Sequence, residues 1–123
     1  MSAEGLTLDR FLGGRIIAAQ PSSGFRAGHD TVLLAAAVPA EDNSMVLELG
    51  SGAGIASLCL AARVRDARII GIEIDPELVR LANDNATRNN VSDRVSFIDG
   101  DAGALTADHF PSPRGGEVSR SDG

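Results

Sequence analysis

The run Val46-Leu47-Glu48-Leu49-Gly50-Ser51-Gly52-Ala53-Gly54-Ile55-Ala56 constrains the fold of this 123-residue chain more than any other stretch. An apolar strand carries an acid near its end, glycines then occupy alternate positions, and an apolar helix begins. Alternating glycines let the backbone turn sharply and approach a ligand that any side chain would hold off. The helix that follows offers unpaired N–H groups and its positive dipole end to an electron-rich group. The expected ligand class is a nucleotide-like cofactor.

From residue 45 onward strand and helix patterns alternate. Met45–Leu49 reads as a buried strand. Ile55, Leu58, Cys59 and Ala62 recur at i, i+3, i+4 and i+7, the apolar face of a helix reaching about Val64. Arg68–Ile74 is a second β-rich run. Asp75-Pro76 sets an N-cap with proline at the first helical position. Leu78, Leu81, Ala82 and Ala86 supply that helix's inner face, the polar stretch Asn83–Asn90 carries it to a stop, and Val91-Ser92-Asp93 is a turn. Arg94–Ile98 is a third strand, followed by Asp99-Gly100-Asp101. Repeated units of this length imply a parallel sheet with right-handed crossovers. The fold class is α/β: a partial Rossmann-like, doubly wound parallel sheet with three readable strands, preceded by an N-terminal arm and helix.

Upstream, residues 1–24 read as an extended or hairpin-like arm, and Val32–Val38 as a helix N-capped by Asp30 or Thr31 and closed by Pro39. After Asp108 the chain is Pro, Gly, Ser and Arg with almost nothing apolar, a composition that cannot offset its ordering entropy. The expected organisation is therefore an arm and covering helix over 1–44, a βαβαβ cofactor-binding half over 45–108, and a disordered tail over 109–123.

Charge is distributed unevenly. Residues 41–110 hold twelve acids against six arginines, while the segments on either side are balanced, so the net −6 sits in residues 41–110, which take in the cofactor-binding half. All eleven basic residues are Arg, Trp and Tyr are absent, and no basic stripe or aromatic stacking platform for nucleic acid is visible. Cys59, the single cysteine, is expected as a small core residue in a reducing compartment. No leader and no apolar run of membrane-spanning length is seen, so the reading is cytoplasmic, with no membrane partner and no metal.

The order Glu48-x-Gly50-x-Gly52-x-Gly54 differs from a dinucleotide fingerprint. A carboxylate two residues before the first glycine would repel a pyrophosphate but suits an ammonium or sulfonium. The pattern resembles motif I of the class I S-adenosylmethionine (SAM) methyltransferases. That resemblance implies SAM as cofactor, with Glu48 helping to hold its methionine amino group beside Gly50, Gly52 and Gly54. Glu73, near the end of the second strand, can accept hydrogen bonds from both ribose hydroxyls, the role the resemblance assigns it. Asp101 with the Ala102 backbone matches the position that receives the adenine amino group, and Asp99 is the open alternative. Gln20-Pro21 and Gly24-Phe25-Arg26-x-Gly28-x-Asp30-x-x-Leu33-Leu34-Ala35 resemble the N-terminal signature of bacterial tRNA adenine N6-methyltransferases, relatives of the protein-glutamine methyltransferases. The resemblance lays this segment over the methionine end of the cofactor, with Arg26 and Asp30 there.

These families transfer the methyl group with an Asn-Pro-Pro-Tyr/Phe motif after a fourth strand, and this sequence has no Asn-Pro pair. No catalytic residue is assigned. The expectation is a cofactor-binding fragment of a SAM-dependent N-methyltransferase acting on tRNA adenine, its acceptor-facing regions missing through a frameshift or early stop. The alternative is a non-catalytic SAM- or nucleotide-binding module working with a partner chain. A nicotinamide-dependent oxidoreductase is a distant third.

Overall fold

The computed structural model describes residues 5–23, 39–41, 43–101 and 103. The arm is a β-hairpin. Strand β1 (Leu6–Phe11) pairs antiparallel with β2 (Ile16–Pro21), in register from Leu6 opposite Pro21 to Phe11 opposite Ile16. Its turn is a 3-10 segment over Leu12–Gly14, where Leu12, Gly13 and Gly14 all take positive φ. The expected helix at 30–38 and the tail at 109–123 lie outside the described residues.

The second sheet is parallel, in the order β3 (Met45–Leu49), β4 (Arg68–Glu73), β5 (Val95–Asp99). Its register runs across the strands through Glu48, Gly71 and Phe97, with Glu73 opposite Asp99. Helix α1 (Ile55–Arg63) connects β3 to β4, and α2 (Pro76–Arg88) connects β4 to β5. The two crossovers run in one direction along the sheet, and both helices pack on one face of it, as the shared handedness of such connections requires. On that face Ile69, Val95 and Phe97 pack into one core with Leu58 and Cys59 of α1, Val79, Ala82 and Ala86 of α2, and Ile16 and Ala18 of β2. Leu47 and Leu49, on the opposite face, are 44% and 56% exposed.

Element ends follow local chemistry. Asp75 caps α2 by accepting from the Glu77 N–H at 2.9 Å, and Pro76 stands where no N–H is needed. The far end of α2 closes in a Schellman motif. Asn90 sits at φ +61°, the Val91 N–H reaches the Ala86 carbonyl at 3.0 Å, and the Asn90 N–H reaches Thr87 at 3.0 Å. β4 stops at Glu73 rather than Ile74. β5 runs from Val95 to Asp99 rather than from Arg94 to Ile98, and the N–H groups of Arg94 and Val95 both bind back to the Val91 carbonyl in the turn, at 3.0 and 2.9 Å. The Arg94 guanidinium instead caps the end of α1, donating to the carbonyls of Ala61, Val64 and Ala67 at 2.8, 3.1 and 3.3 Å.

Two readings of the helices need correction. Leu78 is only half-buried and Val79 takes its place inside, because the hairpin as well as the sheet packs on α2 and turns its buried face toward Val79, Ala82 and Ala86. The polar stretch Asn83–Asn90 is also more than a stop signal. Asn83 accepts from the Phe97 N–H at 3.0 Å and donates to the Phe97 carbonyl at 2.9 Å, on the edge of β5 away from β4. Asn85 and Asn89 pair in the same way with Ala19 and Ile17 of β2. Each carboxamide stands in for one residue of a neighbouring strand, satisfying edge groups that would otherwise be buried without partners.

Candidate cofactor-binding site

The carboxyl ends of β3, β4 and β5 gather Glu48, the glycine loop, Glu73, Asp99 and Asp101, the place where open parallel sheets hold their ligands. The loop is tied down from β4. The N–H groups of Gly50 and Ser51 both donate to the Ile72 carbonyl, at 2.8 and 3.1 Å, and the Gly54 N–H closes a turn onto Ser51 at 2.9 Å. The Glu73 carboxylate spans the site, with one oxygen accepting the Gly52 N–H at 2.9 Å and the other the Asp75 N–H at 3.0 Å. Glu73 thus joins the glycine loop to the start of α2 before any ligand is considered. Its own carbonyl takes the Gly100 N–H at 3.1 Å, which ties in the end of β5.

The three loop glycines, indistinguishable in sequence, do different work. All have positive φ, +70°, +56° and +88° for Gly50, Gly52 and Gly54. A Cβ at Gly50 or Gly52 would meet nothing within 4 Å, so both positions border open space that a ligand can fill. A Cβ at Gly54 would stand 2.7 Å from the Phe97 ring, so its missing side chain lets the loop lie down on the core. Gly71 repeats this in β4, where a Cβ would come within 2.3 Å of Phe97 and 2.8 Å of Ser51 Cβ.

Glu48 faces the start of α1. Gly54 is the N-cap of that helix and has no side chain to cap with, so Glu48 reaches across from β3. It accepts the Ser57 hydroxyl at 2.5 Å and is also held by the Ser57 backbone N–H. Burial outweighs these bonds and raises the Glu48 pKa above the ordinary glutamate value. Burial likewise pushes the Cys59 thiol up to about 11, which leaves it a protonated core residue. Asp101 accepts from the Gly103 N–H at 3.0 Å in an Asx-type turn, and Asp99 is exposed opposite Glu73. Arg26, Asp30 and Ala102 lie outside the described residues.

Sequence reasoning did not find Ser51 and Asn85. Ser51 is 6% exposed, and its hydroxyl has no hydrogen-bond partner among the described residues. Ser51→Ala should therefore raise stability by about 1 kcal/mol, because it removes an unsatisfied buried hydroxyl. Urea unfolding followed by circular dichroism checks this, and a clear loss of stability would mean the hydroxyl is satisfied. Asn85 is wholly buried and donates to the Ala53 carbonyl in the loop at 3.0 Å.

Among the described residues no group of three or more His, Cys, Asp or Glu is placed to hold a metal ion. Nor, among them, is any helix long and apolar enough to cross a membrane.

Comparison with known proteins bears on this geometry directly. Residues 40–112 match the family described as "Methyltransferase domain". The chain is 34% identical over 86 residues to a tRNA1(Val) (adenine(37)-N6)-methyltransferase of Yersinia enterocolitica, covering 69% of this chain and 34% of that protein. It is 28% identical over 93 residues to a release factor glutamine methyltransferase of Chlorobaculum tepidum, covering 75% of this chain and 32% of that one. It thus spans about a third of the length of these curated relatives. Among solved structures, an RNA methyltransferase from Salinibacter ruber in complex with S-adenosyl-L-homocysteine superposes with a TM-score of 0.58 at 33% identity, over 66% of this chain and 53% of that one. The matched segment takes in the parallel sheet, both crossover helices and the glycine loop that closes onto Glu73, and over that segment this chain belongs to the methyltransferase-domain family.

Proposed function

We propose that this chain binds SAM at the carboxyl ends of β3–β5 and serves as the cofactor-binding part of an N-methyltransferase acting on tRNA adenine. The observation that carries the reading is Glu73. Its carboxylate stands at the end of the second parallel strand, hydrogen-bonded to Gly52 of a loop whose Gly50 and Gly52 leave room for a ligand. An acid there has lone pairs left to accept ribose hydroxyls, and the Glu48 carboxylate near the end of β3, at the start of α1, disfavours a pyrophosphate and suits an ammonium. Relatives named as tRNA adenine N6-methyltransferases, and a neighbour crystallised with S-adenosyl-L-homocysteine, support the acceptor class and the cofactor.

In this reading Gly50 and Gly52 form the face that meets the cofactor, and Gly54 supports it from below. Glu48 favours the methionine ammonium, Glu73 holds the ribose, and Asp101 with Ala102 meets the adenine. Arg26 and Asp30 lie toward the methionine end. Residues 45–108 are the cofactor-binding half and 1–44 the segment that covers it, acting in the cytoplasm where tRNA is modified. SAM supplies an electrophilic methyl group on its sulfonium, and the residues of this chain bind and orient it. Transfer then rests on positioning the acceptor nitrogen in line, a task for which this chain holds no assigned residue.

Calorimetry tests the reading. The chain should bind S-adenosylhomocysteine more tightly than NAD, and tighter NAD binding overturns it. Glu73→Ala should weaken binding by about 1.5–3 kcal/mol, the range for a hydrogen bond to a charged group. An unchanged affinity would leave Glu73 a structural tie between loop and helix.

A further inference from the structure

We infer that Asn85 is a positioning residue for the cofactor loop, coupling the N-terminal hairpin to the peptide between the second and third loop glycines. The inference rests on the SAM reading for its consequence but on the geometry for its substance.

Every hydrogen-bonding direction of the Asn85 carboxamide is used. Its oxygen accepts the Ala19 N–H at 2.8 Å and an Arg88 N–H at 2.5 Å, and its nitrogen donates to the carbonyls of Ala19 and Ala53 at 2.9 and 3.0 Å. An asparagine has two donors and two accepting lone pairs, so none remains for another arrangement. The group is planar, and its two N–H bonds diverge at a fixed angle. The hairpin carbonyl and the loop carbonyl are therefore held in one relative position by a side chain that is 0% exposed. Ala53 lies between two glycines in left-handed conformations, where the backbone by itself is least constrained. Glu73 holds the N–H of Gly52 from β4, and Asn85 holds the carbonyl of Ala53 from α2.

Asn89 provides an internal comparison. It clamps Ile17 of the same strand at 3.0 and 2.8 Å, and its remaining bond goes to Asn85's own carbonyl at 2.8 Å, away from the loop. A residue that merely fastens the hairpin should behave like Asn89. One that sets the loop should not.

The full chain, Asn85→Ala and Asn89→Ala are compared by amide hydrogen exchange at Gly52 and Gly54, by S-adenosylhomocysteine titration, and by urea unfolding. Asn85→Ala should speed exchange at the loop amides and weaken binding by about tenfold each, beyond what its loss of global stability accounts for, since one loop hydrogen bond is lost. Asn89→Ala should leave both within about twofold once the same correction is made. If Asn85→Ala does not fold, Asn85→Ser, which keeps one hydroxyl donor, should fall between wild type and full loss. Proportionate effects from Asn85 and Asn89 variants, or wild-type loop exchange in the Asn85 variants, overturn the inference. If the unmodified chain binds no S-adenosylhomocysteine, the cofactor reading fails, and loop exchange alone decides the role of Asn85.

Discussion

Replacing Glu48 with glutamine should stabilise the free chain at neutral pH while weakening SAM binding by about 1.5–3 kcal/mol. The two effects have opposite signs because one charge causes both. Glu48 lies against the start of α1, where burial raises its pKa despite the bonds from Ser57. A carboxyl whose pKa is higher folded than unfolded favours folding when protonated. Its contribution is fully present below the unfolded value, near 4.5, and is lost as pH rises through the folded value. At neutral pH the ionised group therefore works against folding, and a neutral glutamine relieves that while still accepting the Ser57 hydroxyl. The same charge is what a ligand ammonium would pair with, so glutamine forfeits it. In the wild type, affinity should fall on acidification from a higher pH than an ordinary carboxylate would give, and Glu48→Gln should flatten that limb. Calorimetry across pH, with urea unfolding alongside, checks both halves. A variant less stable than wild type at neutral pH would show that the helix cap outweighs the burial.

Phe97→Ala should cost about 3–5 kcal/mol, the range for emptying a buried aromatic site. Phe97 is 3% exposed, and its ring fills the space left by two glycines, Gly54 of the loop and Gly71 of β4. Domains of this kind have roughly 5–15 kcal/mol in all, so this one change removes a large share and loosens the loop's floor. The reciprocal change, Gly71→Ala, drives a methyl group into the ring and should cost about 1–3 kcal/mol. A smaller side chain at position 97 should make Gly71→Ala better tolerated, and the double-mutant cycle reads that coupling directly. With no Trp or Tyr in the chain, unfolding is followed by far-ultraviolet circular dichroism. A loss below about 1 kcal/mol for Phe97→Ala would contradict the packing described, since buried aromatics cost more.

Much of the architecture was legible in the sequence because its causes are local. The glycine run bounded by apolar segments, the Asp75-Pro76 helix start and the spacing of Ile55, Leu58 and Cys59 each depend on neighbours within about two turns, and these elements lie where expected. The positions of Glu48 and Glu73 at strand ends follow from the same local reading, and a family resemblance assigned the ligand.

Other features arise only when distant segments meet. Asn83, Asn85 and Asn89 look like a helix running out. Their partners lie 14, 66 and 72 residues away in sequence, on strand edges that do not exist until β5 and the hairpin dock. Gly54 resembles Gly50 and Gly52 until Phe97, more than forty residues on, is packed beneath it. Glu48 caps a helix from another element because Gly54, free to turn, has no side chain with which to cap its own. Hydrophobic period and turn chemistry are short-range and so are written in the sequence. Saturation of buried polar groups and close packing are properties of the assembled interior, and only the tertiary structure could decide which asparagine ties down the loop and which glycine must stay bare.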